Sequence, residues 1–154
     1  MADLSTGSPG VVPHLERFDH FPDELLEVAA GQLWQHLRGP ALFYLPGRLQ
    51  GTVFVSVLLH GNEDTGWLAL QSVLRQHLAM TLPRPLLVLV GNIAVAKAGV
   101  RTLPDQEVFN RVWPGTAHPD TPVARLMRNV VEIAQREPLF ASIDIHNNSG
   151  NNPH

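Results

Sequence analysis

"VFVSVLLHGNEDTG", residues 53–66, carries an apolar run straight into a cluster of polar groups. Val53, Val55 and Val57 are β-branched, and Ser56 is the one polar side chain before His60. A run of this length and branching suits a strand covered on both faces. His60, Gly61, Asn62, Glu63 and Asp64 then follow without a break. Polar groups placed where a strand leaves the core either start a helix or face a site, and this stretch has the residues for both. Asp64 or Thr65 can cap a helix in which Trp67, Leu70, Val73, Leu74 and Leu78 recur at helical spacing. His60 and Glu63 form an H-x-x-E pair on the turn before it, and Gly61 lets the backbone pass close to the site there.

Working outward, residues 1–13 hold Gly, Ser and Pro without periodicity and read as a flexible leader. Pro22-Asp23-Glu24 opens a helical pattern, with Leu25, Leu26, Ala29, Leu33 and Leu37 on one face and Gly39-Pro40 as its stop. Ala41–Leu45 and Gly51–Leu59 are β-type runs, and the Pro46–Gln50 connection predicts a hairpin between them. Leu86–Val90 is a continuous apolar run of strand length. Residues 91–121 show little periodicity. Pro122 begins a third helix through Val123, Leu126, Met127, Val130, Ile133 and Ala134, and Leu139–Ile145 is a last strand ending at His146.

Strands alternating with helices predict an α/β fold: a mixed, mostly parallel sheet flanked by helices, as one domain over residues 14–154. Such sheets bind ligands beyond the carboxyl ends of their strands. Three strands end there in polar groups, at His60, Asn92 and His146. That convergence directs the search for function.

Composition narrows the classes. The chain has 154 residues, 44% of them hydrophobic and 16% charged, with a net charge of −3. That is globular and large enough for a real core. No cluster of Lys or Arg invites nucleic acid or an anionic membrane surface. No apolar run is long enough to span a bilayer, and the N-terminus lacks a basic segment followed by an apolar one. The cytoplasm is the expected location, which leaves the Asn147-Asn148-Ser149 sequon without a role. The absence of cysteine excludes disulfides and thiolate metal sites, so a metal would need His and carboxylate ligands.

His60 and Glu63 can point at one atom from a single turn, and a third ligand from a remote strand would leave a fourth position for water. His146 is the natural third ligand. Asp144, two residues earlier, shares its strand face and can support it. Taken alone, H-x-x-E is a weak motif, because an acid in a first helical turn is favoured by the helix dipole whatever else it does. His36 and His77 fall on helices, His14, His20 and His118 in loops or at element edges, and His154 at the chain end is a weak rival to His146. A second constellation spans 101–115, where Arg101, Asn110 and Arg111 could grip a carboxylate or a developing oxyanion.

"HGNE" at 60–63, "GN" at 91–92, "NRVWPG" at 110–115 and "DIHNNSGNNPH" at 144–154, in that order, resemble the succinylglutamate desuccinylase/aspartoacylase family of zinc carboxypeptidase-like hydrolases. The resemblance covers roughly residues 40–154. It implies one Zn²⁺ per chain held by His60, Glu63 and His146. It also implies that Asn110 and Arg111 bind a substrate carboxylate and that Arg101 acts catalytically, polarising the scissile carbonyl. The implied activity is a zinc-dependent hydrolase that cleaves the amide bond of a small N-acyl amino acid. The alternatives are a carboxypeptidase acting on peptide C-termini and a metal-binding domain without catalysis. Two departures stand out. The family's Asp-Leu-Asn-Arg reads Val108-Phe109-Asn110-Arg111 here, leaving Asp105 or Glu107 as stand-ins for the acid that supports a zinc histidine. No residue matches the family's later general-base glutamate, so the chain reads as truncated at its C-terminus. A sheet cut there leaves a free strand edge, at which copies are expected to associate.

Overall fold

Leu86–Val90 is the strand around which the sheet assembles, because an apolar run with no polar face must be covered above, below and on both edges. The structure, a computed structural model, describes residues 12–77 and 79–147. Among them lie β1 (Glu16–Phe18), β2 (Ala41–Leu45), β3 (Thr52–Val57), α1 (Thr65–His77), β4 (Leu86–Val90), α2 (Ile93–Ala98), α3 (Pro122–Ala134) and β5 (Leu139–Asp144). The strand order is β1-β2-β4-β3-β5, with β2 antiparallel to β4 and every other pairing parallel. This is the mixed, mostly parallel α/β sheet expected from the sequence. The expected leader, apart from Val12 and Pro13, lies outside the described residues, as do Leu78, Asn148, Ser149 and His154.

Alternation along the strands sends side chains to two cores. Phe43, Val55, Val57, Val88 and Val90 pack against Trp67, Leu70 and Leu74 of α1. Leu42, Phe54, Leu87 and Leu89 pack on the other face against Leu126, Met127 and Val130 of α3. Full burial of each such side chain contributes about 1.5–3 kcal/mol. Trp67 and Met127 are both 0% exposed, so one helix is anchored to each face. Thr121 caps α3, its hydroxyl accepting from Ala124 N at 3.2 Å.

Two expectations fail for identifiable reasons. The hairpin between β2 and β3 does not form, because β4 lies between them and pairs with both. A hairpin would have left the most apolar strand at an edge. The long helix after Pro22 is instead two short 3₁₀ turns, Asp23–Glu27 and Ala30–Gln35, with Val28 and Ala29 extended between them. Carbonyls that a continuous helix would use internally are occupied by donors from α1: Trp67 Nε1 donates to Val28 O, and Gln71 Nε2 to Val28 O and Leu25 O, each at 2.8 Å. Ala29 consequently faces solvent, as does Val73 on α1.

β5 pairs only with β3 among the described residues, and its outer edge is open. Leu139, Phe140 and Ile143 are 43%, 62% and 46% exposed on it. An apolar strand with free backbone groups templates further pairing. The chain should therefore self-associate with rising concentration. Ile143→Lys, which places a charge on that strand, should reduce association in sedimentation or light scattering while changing unfolding free energy by only about 0.5 kcal/mol. Equal association by both forms would place the contact elsewhere.

Candidate metal centre

The site begins with a bend. After β3, Leu58 adopts φ 55°, a left-handed backbone that a bulky residue rarely takes and that costs about 1–3 kcal/mol. It is held there because its side chain is fully buried and its carbonyl accepts from Asn92 N at 2.7 Å. The bend carries His60 to the sheet's carboxyl edge. Gly61 then runs against α2 so closely that a Cβ would lie 2.1 Å from the Val95 carbonyl carbon, so only glycine fits. Glu63 N donates to His60 O at 3.3 Å, closing the turn, and Leu68 N donates to Asp64 O at 3.0 Å as α1 begins.

β5 supplies the other half. Ser56 pairs with Asp144 in register, and Ile145 N donates to Ser56 O at 3.0 Å, which brings His146 beside the turn. Donor atoms of His60, Glu63 and His146 all lie within 4.8 Å of one another. His60 and Glu63 are 1% and 3% exposed, whereas the His146 side chain is 30% exposed.

Hydrogen bonds tie the cluster together. Glu63 Oε2 accepts from His146 Nδ1 at 2.8 Å and from Asn147 N at 3.3 Å. Its Oε1 accepts from Arg101 Nη1 at 2.6 Å, and Arg101 Nη2 lies 3.1 Å from His60 Nε2. Asp144 Oδ2 meets His146 Nε2 at 2.8 Å while its Oδ1 accepts from Ser56 Oγ at 2.7 Å. A carboxylate behind a histidine in this way orients the ring and raises its basicity as a ligand. His60 Nδ1 is buried without a partner. A buried nitrogen left unpaired costs about 1–3 kcal/mol, and with the ring proton on Nε2 its lone pair would be open to a cation. The donor set, two imidazoles and a carboxylate with one orphaned nitrogen, fits zinc.

The two imidazoles are pushed apart. Burial, reinforced by the Arg101 charge, holds His60 below the usual histidine range despite Glu63 beside it. Burial works against protonation of His146 too, but the bonds from Asp144 and then Glu63 outweigh it and raise this histidine above 6.5. Glu63 is disfavoured as an anion by burial, yet His146, His60 and Arg101 together hold it below the usual carboxylate range.

The other expected site residues fall as follows. Arg101 reaches the cluster directly. Asn110 and Arg111 lie on a 3₁₀ turn, Phe109–Arg111, anchored by buried Phe109. Asn110 Oδ1 is buried and unpaired, and Arg111 is exposed. Neither forms a hydrogen bond to the cluster. Asp105 is exposed, and Glu107 accepts from Thr121 Oγ, so neither replaces the missing acid behind His60. Asn92 ends its strand as expected but caps α2 and bonds Gln106 Oε1 at 2.9 Å. Ser56 was missed as part of the site. Its signal was a lone hydroxyl in an apolar strand, which needs a partner when buried.

The model of the succinylglutamate desuccinylase/aspartoacylase catalytic domain matches residues 50–154. The chain belongs to this family. A solved succinylglutamate desuccinylase from Chromobacterium violaceum is 25% identical, with a TM-score of 0.52 over 64% of this chain and 34% of that one. A second, from Vibrio parahaemolyticus, shares the fold at 16% identity, with a TM-score of 0.54 over 71% of this chain and 40% of that one. The chain thus corresponds to roughly a third to two-fifths of these enzymes' length. No curated protein matches it. No helix among the described residues is long and apolar enough to cross a membrane.

Two outcomes are expected of this geometry. The purified chain should take up about one zinc, as three N/O ligands imply, and His60→Ala or His146→Ala should lose it. Elemental analysis reads this, and full retention by both variants would dismiss the ligand set. Because His146 keeps its proton to higher pH than an ordinary histidine, a metal must displace that proton. Zinc affinity should therefore rise with pH, by up to about tenfold per unit, through and beyond the usual histidine range, until His146 is neutral. A flat profile in competition titrations would contradict the raised His146.

Proposed function

We propose that the chain carries the zinc-binding half of a deacylase site that cleaves the amide bond of an N-acyl amino acid. The observation that carries this reading is the His60–Glu63–His146 cluster, in a chain of this family, with Arg101 at its rim. Zinc held by those three residues would supply Lewis acidity and bring the ionisation of water toward neutral pH.

The chain's own groups contribute the rest. Asp144, fixed by Ser56, keeps the His146 ring aimed at Glu63. Arg101, bonded to Glu63 and His60 at the rim of the cluster, has a guanidinium that could donate to a carbonyl oxygen as negative charge develops once it is released. Arg111 offers an exposed planar fork that matches a carboxylate in two parallel bonds. Asn110, next to it in the chain, carries an amide NH₂ that can donate to the same carboxylate. A small N-acyl amino acid has the groups these residues want: a scissile amide and at least one free carboxylate.

Proton transfer is the weak link. The carboxylates that touch the cluster, Glu63 and Asp144, are both engaged with His146. A positioned general base typically contributes about 10²–10⁴ in rate. Hydrolysis of N-succinylglutamate or N-acetylaspartate by zinc-loaded residues 1–154, followed by amine release, should therefore run about 10²–10⁴ slower than with the Chromobacterium violaceum desuccinylase. No zinc-dependent amine release from either compound would favour a metal-binding domain without catalysis. Equal rates would mean that a carboxylate of this chain acts as base. Arg111→Lys keeps the charge but loses the fork, so calorimetric affinity for an N-acyl amino acid should fall several-fold with zinc content unchanged. Unchanged affinity would remove Arg111 from the site.

A further inference from the structure

Arg101 bonds two of the three cluster residues at once, Glu63 Oε1 at 2.6 Å and His60 Nε2 at 3.1 Å. A guanidinium only donates hydrogen bonds. His60 Nε2 must then be the accepting nitrogen, and the ring proton sits on Nδ1, the atom buried without a partner. That arrangement and metal ligation by His60 exclude each other. If Nδ1 gives its lone pair to a cation, the neutral ring carries its proton on Nε2, where it points at an Arg101 donor. If Nε2 ligates instead, the lone pair that Arg101 uses is taken directly. In either case Arg101 must let go of His60.

Glu63 adds a charge argument. A guanidinium in contact with this carboxylate would stand within a few ångströms of a divalent cation on the same group, and like charges at that range repel strongly at a buried site. Arg101 can leave without disturbing the core. Its side chain is 56% exposed, and it follows α2 in a segment that turns at Gly99, φ 64°.

Resting on the reading of His60, Glu63 and His146 as zinc ligands, we infer that Arg101 is a latch on the cluster: it clasps His60 and Glu63 together, and zinc displaces it. Zinc binding and the freedom of the guanidinium are then one coupled event. Arg101 becomes available to a substrate carbonyl when the metal is in place, and competes with the metal otherwise.

The test is zinc competition titration against a chromophoric chelator, with the full 154-residue chain. Arg101→Met removes the donors and keeps the stem, and Arg111→Met serves as the reference for losing a positive charge that makes no bond to the cluster. Circular dichroism checks folding. The latch predicts zinc binding tighter by about tenfold or more in Arg101→Met, since bonds to charged groups are worth that much, and by much less in Arg111→Met. A second measurement needs no variant: side-chain NMR of the natural protein, where the Arg101 Nη resonances should move and lose their restricted rotation on zinc addition. Equal affinity of Arg101→Met and the natural protein, equal tightening by both variants, or Arg101 resonances indifferent to zinc would each overturn the latch while leaving the zinc site standing. Zinc binding by Arg101→Met where the natural protein binds none would support the latch in its strongest form. Zinc binding by neither form would overturn the ligand set itself, and the latch with it.

Discussion

The Glu63 carboxylate, 3% exposed at the carboxyl edge of the sheet, is the constraint that the site is built around. An uncompensated buried charge costs several kcal/mol, and such a group survives as an anion only where donors converge on it. They converge from two places in the chain: His146 and Asn147 come from the end of β5, and Arg101 from the segment after α2. That convergence requires β5 to lie beside β3 and parallel to it, with Ser56 opposite Asp144. Had β5 paired elsewhere, Glu63 would lose His146 and Asn147 together. The strand order and the site are the same fact seen at two scales.

Local backbone strain serves the same end. The left-handed turn at Leu58 and the backbone contact at Gly61 re-aim the chain between a strand and a helix that could otherwise have been joined smoothly. Leu58, a bulky non-glycine residue, has no intrinsic preference for that conformation. It adopts it because its isobutyl group is sealed in the α1 core and its carbonyl is held by Asn92, which is itself fixed as the cap of α2. Asn92, although it touches no member of the cluster, is thus part of the scaffold that positions His60.

Much of this was legible in the residues and some of it was not. β4 and α3 fall where their apolar patterns place them, because a continuous apolar run and a 3.6-residue stripe have few competing readings. His60, Glu63 and His146 could be paired on paper because two strand ends and one helix start put them on one edge. The order of strands was not legible: β2 and β3 are near in sequence, and nothing local says that β4 will come between them. β1 is three residues long, too short for alternation to register. The interrupted helix after Pro22 could not be foreseen either, since Trp67 and Gln71, which claim its carbonyls, lie on α1 some forty residues away. Arg101 was expected near the chemistry, but its bonds to His60 and Glu63 depend on how a segment without periodicity folds back over the sheet.

The charges explain why two histidines in one cluster behave oppositely. His60 faces a guanidinium, and burial and that charge favour its neutral form. His146 faces carboxylates at both ring nitrogens, and their bonds raise it above the usual histidine range. Glu63 meets Arg101 on one oxygen and His146 on the other, and Asp144 meets the second nitrogen of the same ring, so donors of the chain itself hold both carboxylates. A buried carboxylate stays tolerable only while such partners face it, so any cation entering between His60, Glu63 and His146 would have to replace the bonds it displaces.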